Sequence, residues 1–513
     1  MPPNILWIMT DQHRRDCVGA YSDRPVRTPH LDALAARSAV FQRHYSTCPL
    51  CVPARASLHT GRYSHSCGAI VNGFGAAGDR EASQLNPGER TIGELMAESG
   101  YRVGHVGVDH VRTVPPLSEN PAFSSFITKA DWLRHIRERG LELPDMSPHQ
   151  HPCPTRIGDS IVTHRFSAPK PGRHPFELKD FEDVYFADRA AEFIRESPED
   201  QPTFLMCFLW MPHPPFVIPE PYFSMYDPAD IELPPNVPGT QEGKPGMHLE
   251  HLPGQVGAGK SPDDWREAWA AYYGCVTLVD HCIGKVLEAA DERWGLDETA
   301  VIFHPDHGEM LGAHQYFQKM VCYEESIHLP MMVSAPGAQP GPRDQLTSHV
   351  DIAPTILDLC GAPVPEAMQG HSLRPLLGKT ERKPAGREEP GHGCAHRPGH
   401  GPRAQGDAHT PRLEHGGAAG SLETRSYGDL LHEAVFCEYN GNLVPDLYQR
   451  CVVSVDHKYI WNRDDMDELY DLREDPWEMR NVASEPALGD TRNHLRDILG
   501  RWMRDTGDFL SLD

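Results

Sequence analysis

The fold and chemistry of this chain are organised by one stretch, which reads Cys48-Pro49-Leu50-Cys51-Val52-Pro53-Ala54-Arg55-Ala56-Ser57-Leu58-His59-Thr60-Gly61-Arg62. Its prolines form a turn, and the residues from Ala56 to Leu58 favour a helix. A cysteine at the start of such a helix lies at the positive end of the helix dipole, where a thiolate or bound anion is stabilised. Arg55 adds a fixed positive charge one turn later. A lone cysteine would more often be a buried structural thiol, but this combination of residues is much rarer.

The run from Cys51 to Arg55, together with the residues from Leu58 to Gly61, resembles the signature of the type I sulfatases of the alkaline phosphatase superfamily. In that family a maturation enzyme oxidises the cysteine to formylglycine, and the geminal diol of the hydrated aldehyde is the nucleophile. The resemblance extends from about Asn4 to Ala483. It implies an α/β fold with a large, mostly parallel mixed sheet flanked by helices, and a smaller C-terminal subdomain with an antiparallel sheet.

The composition is that of a large acidic enzyme. The chain has 513 residues and a formal net charge of −25, with a pI near 5.6, which argues against nucleic acid as a partner. No apolar run is long enough to cross a bilayer, and the run from Ile5 to Met9 is too short for the apolar core of a signal peptide. The thirteen cysteines are an odd number without framework spacing, so we expect reduced thiols and a cytoplasmic protein.

Three segments are predicted from the periodicity of apolar residues. Residues 1–378 form the catalytic α/β domain, and residues 427–513 form an α+β subdomain of short strands and a final helix. Between them, residues 379–426 are rich in Gly, Pro, His and Arg, and we expect a flexible insert because such a segment buries little apolar surface. Residues 112–178 and 217–260 are predicted to be long loops at the rim of the site, the first with one short helix.

Polar residues directly follow two of the predicted buried strands, which is where open α/β sheets place their sites. Asp11 and Gln12 follow the strand over 5–10, and Asp306 and His307 follow the strand over 300–304. Taken alone, Asp11 could equally cap a helix or turn. The resemblance implies that these four residues and the modified Cys51 bind a metal. The family usually uses calcium, while the choice of Gln12 and His307 lowers the ligand charge and could admit magnesium or manganese.

The resemblance also assigns catalytic roles. It implies that Cys51 is the nucleophile precursor, that Arg55 polarises it, that His110 and Lys319 neutralise the sulfate oxygens, and that His213 protonates the departing alcohol. The family has a lysine where this chain has Val108, so we expect Asn72 or His65 to contact the substrate instead. Taken alone, His213 or Asn72 would read as an ordinary turn residue.

The leading prediction is therefore a sulfatase that hydrolyses a small-molecule or saccharide sulfate ester. Two alternatives stay open. The first is a phosphonate monoester hydrolase or phosphodiesterase on the same scaffold, and the second is a catalytically silent relative that only binds. The intact Cys-x-Pro-x-Arg motif argues against the silent form. A formylglycine-generating maturation enzyme is the implied protein partner, a homo-oligomer is left open, and neither nucleic acid nor a membrane is expected.

Overall fold

The computed structural model describes residues 2–73, 81–157, 160–378, 433–442 and 447–512. The predicted insert over 379–426 lies outside the described residues. The strands are β1 Asn4–Asp11, β2 Ala39–Tyr45, β3 Arg102–Gly107, β4 Phe123–Ile127, β5 Gln150–Ile157, β6 Ser160–Ser167, β7 Gly172–Arg173, β8 Thr203–Pro212, β9 Val217–Ile218, β10 Thr299–Pro305, β11 His328–Ser334, β12 Gly341–Ser348, β13 Ala434–Asn440, β14 Tyr448–Ser454, β15 His457–Asn462 and β16 Glu468–Asp471.

Helices alternate with these strands through most of the chain. They are α1 Pro29–Ala36, α2 Cys51–Thr60, α3 Ser64–Cys67, α4 Ile92–Glu98, α5 Lys129–Glu138, α6 Glu182–Arg195, α7 Met247–Glu250, α8 Leu252–Gly257, α9 Pro262–Trp294, α10 Glu324–Ile327, α11 Ile352–Cys360 and α12 Gly489–Thr506. The longest, α9, presents the predicted aromatic stripe of Trp265, Trp269 and Tyr272, all fully buried against the sheet side of the core.

Eight strands form one sheet in the order β12-β2-β11-β10-β1-β8-β3-β4. Every neighbouring pair is parallel except the two that involve β11, which runs antiparallel to both β10 and β2. The central strands β1, β8 and β10 are buried along almost their whole length, because helices cover both faces of the sheet. The carboxyl ends of β1, β2, β3, β8 and β10 consequently meet at one edge.

A separate antiparallel sheet, in the order β13-β14-β15-β16, lies near the C-terminus and packs against α12. It also reaches the main sheet, since the backbone N–H of Glu438 donates to Thr47 O at 2.8 Å, just before the nucleophile loop. The predicted fold class, a mostly parallel mixed sheet with a smaller C-terminal antiparallel sheet, is confirmed.

Two of the predicted loop regions contain more regular structure than the sequence indicated. Residues 112–178 hold β4 at the edge of the main sheet and the hairpin of β5 and β6, besides the expected helix α5. Residues 217–260 hold the short helices α7 and α8. Strand β12 was not predicted at all, because its apolar residues do not alternate along Gly341–Ser348.

Two further findings bear on the sequence predictions. Within the described ranges, no helix has both the length and the apolar character needed to cross a bilayer. The cysteines of the same ranges are free thiols, and nearly all of them are buried.

Gly107, the last residue of β3, allows a close approach that the site needs. Its φ is +117°, and a Cβ at this position would lie 1.8 Å from the carbonyl oxygen of Phe208 in the neighbouring strand. We expect Gly107→Ala to lower the free energy of unfolding by at least about 3 kcal/mol, because backbone must move to admit the methyl group. Gly489→Ala is the matched control, since a Cβ there meets nothing within 4 Å. A denaturant titration that gives equal stabilities for the two variants would contradict this assignment.

Candidate active site

Four buried side chains from distant parts of the chain converge at the carboxyl edge of the sheet. Asp11 ends β1, Asp306 and His307 follow β10, and Cys51 is the first residue of α2. Their potential ligand atoms all lie within 4.8 Å of one another. The sheet topology brings them together, because parallel strands end at the same edge.

Arg55 holds the two carboxylates in place. Its Nη2 donates to Asp11 Oδ2 at 2.8 Å and its Nε donates to Asp306 Oδ2 at 2.9 Å, with all three side chains inaccessible to solvent. The other oxygen of each carboxylate faces His307, whose Nε2 lies 3.8 Å from Asp11 Oδ1 and 3.6 Å from Asp306 Oδ1. One oxygen of each carboxylate therefore remains directed toward the centre of the cluster.

His307 has the orientation of a metal-binding imidazole. Its Nδ1 lies 3.1 Å from Gly308 O, so the ring donates from Nδ1 and presents the lone pair of Nε2 to the centre. That Nε2 is also 3.2 Å from Cys51 Sγ. Burial lowers the pKa of His307 to about 3, so the ring is neutral at physiological pH.

The pKa values of the two aspartates are shifted in opposite directions. Burial and the neighbouring Asp306 raise the pKa of Asp11 to about 7. Burial also acts to raise the pKa of Asp306, but His307, Arg55 and Lys319 outweigh it and hold that pKa well below its usual range. Two carboxylates and one imidazole form a donor set that fits a hard divalent ion, which would relieve the repulsion between the carboxylates.

Gln12 adopts a backbone conformation that is uncommon outside glycine, with φ of +64°, and such strain is concentrated at functional sites. Its backbone N–H donates to Asp306 Oδ1 at 3.1 Å, and its side-chain amide donates to Glu309. This second bond turns Gln12 Oε1 toward Lys319, whose Nζ lies 2.5 Å away. Glu309 is fully buried and orients Gln12; the sequence analysis assigned it no role, although it follows Asp306 and His307 in the same short run.

Lys319 connects the cluster to His213. Its Nζ lies 3.2 Å from Cys51 Sγ and 2.9 Å from His213 Nε2. The other ring nitrogen of His213, Nδ1, donates to Pro214 O at 2.6 Å, so Nε2 is the nitrogen that faces Lys319 and the cluster. Burial, followed by the positive charge of Lys319, lowers the pKa of His213 well below its usual value. By contrast, burial and the negative charge of Asp11 raise the pKa of the Cys51 thiol to about 12.

His110 and Val108 both lie near Arg55. His110 is half-buried, and burial followed by the charge of Arg55 lowers its pKa well below the usual value. Val108 belongs to the buried apolar cluster that contains Leu58 and Phe208, and its carbonyl oxygen accepts from Arg55 Nη1 at 3.4 Å. The side chain of Val108 therefore packs in this apolar cluster, next to Arg55.

A model of the Sulfatase family matches residues 3–362. The chain belongs to the sulfatase family. Membership places it among the sulfuric ester hydrolases of the alkaline phosphatase superfamily, as the signature around Cys51 predicted.

Three relatives illustrate the range of that similarity. The uncharacterised sulfatase YidJ of Escherichia coli is 26% identical over 98% of this chain and 87% of its own. An arylsulfatase of Clostridium perfringens is 28% identical over 74% of this chain and 79% of its own. Among solved structures, the phosphonate monoester hydrolase of Silicibacter pomeroyi superposes with a TM-score of 0.73 at 26% identity and covers 99% of this chain and 97% of its own.

In this sulfatase the two residues predicted to contact the substrate have different surroundings. Asn72 lies beside Cys51, because its Oδ1 accepts the backbone N–H of Val52 at 3.1 Å and so caps α2. His65 does not join the cluster. Its Nδ1 lies 3.0 Å from Glu438 and its Nε2 lies 2.9 Å from Thr506, so both nitrogens hold the C-terminal sheet and α12 in place. That His65 contacts the substrate stays a prediction, and its ring nitrogens have these other partners.

Proposed function

We propose that this sulfatase hydrolyses a sulfate monoester with a formylglycine made from Cys51 as its nucleophile and a divalent metal as its cofactor. The observation that carries the proposal is the position of Cys51 Sγ, which lies 3.2 Å from both His307 Nε2 and Lys319 Nζ and 3.8 Å from Asp11 Oδ1. A nucleophilic oxygen on the same β-carbon would therefore have a cation-binding group on one side and an ammonium on the other. A formylglycine-generating maturation enzyme is the proposed partner.

The metal would be held by Asp11, Gln12, Asp306 and His307, with the modified residue 51 as a further ligand. Calcium is our first choice, and magnesium or manganese are the alternatives, because one carboxamide and one imidazole accompany only two carboxylates. When bound, such an ion supplies positive charge that polarises the nucleophile and the sulfate oxygens.

The remaining residues have separate roles in this proposal. Arg55 fixes both carboxylates and directs its charge toward residue 51. Lys319 and His110 stabilise the negative charge on the sulfate oxygens, and His213 passes a proton from Lys319 to the leaving oxygen through Nε2. Because Val108 replaces the lysine of the family, Asn72, which lies beside Cys51, is the proposed additional contact to a sulfate oxygen.

A phosphonate monoester hydrolase is the second candidate, and its support is the similarity to the Silicibacter pomeroyi enzyme. The substrate class is tested by comparing kcat/KM for an aryl sulfate and an aryl phosphonate monoester that release the same phenol. The protein should first be shown by peptide mass spectrometry to carry the aldehyde at position 51. We expect the sulfate to be the preferred substrate and the phosphonate to be turned over measurably.

This comparison separates the two candidates because both esters carry one negative charge and share a leaving group. A preference for the phosphonate by several orders of magnitude would replace the first proposal with the second. Converted protein that turns over neither ester, and no saccharide sulfate, would support the silent form.

A further inference from the structure

Trp210, near the end of β8, contacts both half-buried histidines of the site. The centroid of its ring lies 4.1 Å from that of His213 at a tilt of 38°, and 6.2 Å from that of His110 in an edge-on arrangement. The sequence analysis assigned Trp210 no role. Its position between the proposed proton donor and a proposed sulfate-binding residue calls for an explanation.

The indole is itself fixed from several directions. The backbone N–H groups of Trp210 and Met211 both donate to Asp183 Oδ1, at 2.6 and 3.2 Å, which anchors the end of β8 to α6. Lys129 Nζ lies 5.5 Å from the Trp210 ring and donates to Glu182 at 2.9 Å. An ammonium over an indole and a doubly accepting buried carboxylate together leave the ring little freedom.

We propose that Trp210 is a positioning residue for His213 and that this enzyme is consequently suited to sulfate esters of unactivated alcohols, such as sugar hydroxyls. The inference rests on the proposed function, in which His213 protonates the leaving oxygen. His213 is held at Nδ1 by Pro214 O and at Nε2 by Lys319, but two hydrogen bonds leave the ring free to tilt about the line that joins them. The indole of Trp210, packed against the ring at 4.1 Å, removes that motion.

The chemistry of the leaving group makes this constraint matter for some esters and not for others. As the oxygen of residue 51 forms its bond to sulfur, the ester S–O bond breaks and its electron pair passes to the leaving oxygen. That oxygen takes up a proton that the Lys319 ammonium delivers through His213 Nε2. A sugar alkoxide is strongly basic and needs that proton during bond breaking, whereas a nitrophenolate leaves without it. A rigid proton donor is therefore useful to an enzyme whose substrates are esters of ordinary alcohols.

The test is a leaving-group comparison with variants of Trp210. We expect Trp210→Leu to lower kcat/KM for a primary sugar sulfate, and for an acyclic primary alkyl sulfate, by about 100-fold, since general acid catalysis is typically worth about 10²- to 10⁴-fold. For 4-nitrophenyl sulfate the loss should stay below about threefold, because that step needs no acid. Trp210→Phe retains an aromatic face and should recover most of the activity on alkyl esters.

Trp132→Phe is the matched control, because Trp132 also lies 5.5 Å from Lys129 Nζ, while among the described ring contacts of His213 the indole is that of Trp210. It should leave the ratio of alkyl to nitrophenyl activity unchanged. If Trp210→Leu lowers kcat/KM equally for both classes of ester, the role of Trp210 is merely structural. If it lowers kcat/KM for the sugar ester alone, the indole binds the sugar. Either result overturns the inference. Failure of converted wild-type enzyme on every sulfate ester would instead refute the proposed function.

Discussion

Asp306→Asn is expected to lower kcat/KM for a sulfate ester by at least about 1,000-fold and to weaken the binding of a divalent ion severely. The carboxylate of Asp306 makes three contacts that one amide cannot reproduce. Its Oδ2 accepts from Arg55, and its Oδ1 accepts the backbone N–H groups of Gln12 and His307 at 3.1 and 2.9 Å. The variant loses a unit of negative charge from a site where no other described side chain is placed to replace it.

Ion binding should be measured by calorimetry beside the kinetics, so that loss of the ion and loss of rate can be compared. Asp280→Asn is the matched control, because Asp280 is also a buried aspartate that accepts two backbone N–H groups, those of His30 and Leu31. Asp280 lies on α9, so Asp280→Asn should lower the free energy of unfolding without changing the affinity for the ion. If Asp306→Asn keeps the ion and a near-normal rate, the metal site has been misplaced.

The parts of the site that the sequence predicted are those that follow from local pattern. The apolar runs before Asp11 and before Asp306 are continuous because β1 and β10 are covered on both faces, and such runs identify buried parallel strands. Residues that follow two such strands meet at one edge, whichever strands lie between them. The convergence of Asp11, Cys51, Asp306 and His307 could therefore be expected before any coordinates existed.

The parts that could not be predicted depend on pairs of residues distant in the chain. Gln12 is turned toward Lys319 by Glu309, 297 positions away, and nothing in the local sequence marks that partnership or the left-handed backbone of Gln12. His65 was proposed as a substrate contact because Val108 leaves one sulfate oxygen without a partner. The sequence does not show that its ring also meets Glu438, 373 positions later, in a strand of the C-terminal sheet.

Strand β12 and the hairpin of β5 and β6 illustrate a second limit. Both carry many polar residues, because β12 is an edge strand of the main sheet and the hairpin stands apart from it. A strand with little buried surface leaves no clear apolar period in the sequence, so it reads as a loop. The rim of the site, where such elements lie, is consequently the region about which the sequence says least.

Cys51→Ala is expected to abolish turnover, with a fall in kcat/KM of at least about 10⁴-fold, while ion binding is weakened by the loss of one ligand but persists through the four others. The variant removes the thiol whose oxidation would give the aldehyde but leaves Asp11, Asp306, His307 and the Arg55 ion pairs in place. Retained ion affinity together with lost activity would separate the nucleophile from the metal site, a distinction that Asp306→Asn cannot make.

Cys48→Ala provides the control, since Cys48 lies three residues earlier and is also fully buried, but packs with Leu50, Met320 and Tyr439 away from the carboxylates. The kcat/KM of Cys48→Ala should stay within about threefold of the wild-type value. Peptide mass spectrometry of active wild-type protein should show an aldehyde at position 51 and an unchanged thiol at position 48. Full activity in protein whose residue 51 is still a thiol would refute the mechanism, because the oxygen nucleophile that Lys319 and the metal-binding side chains are arranged to receive would then play no part.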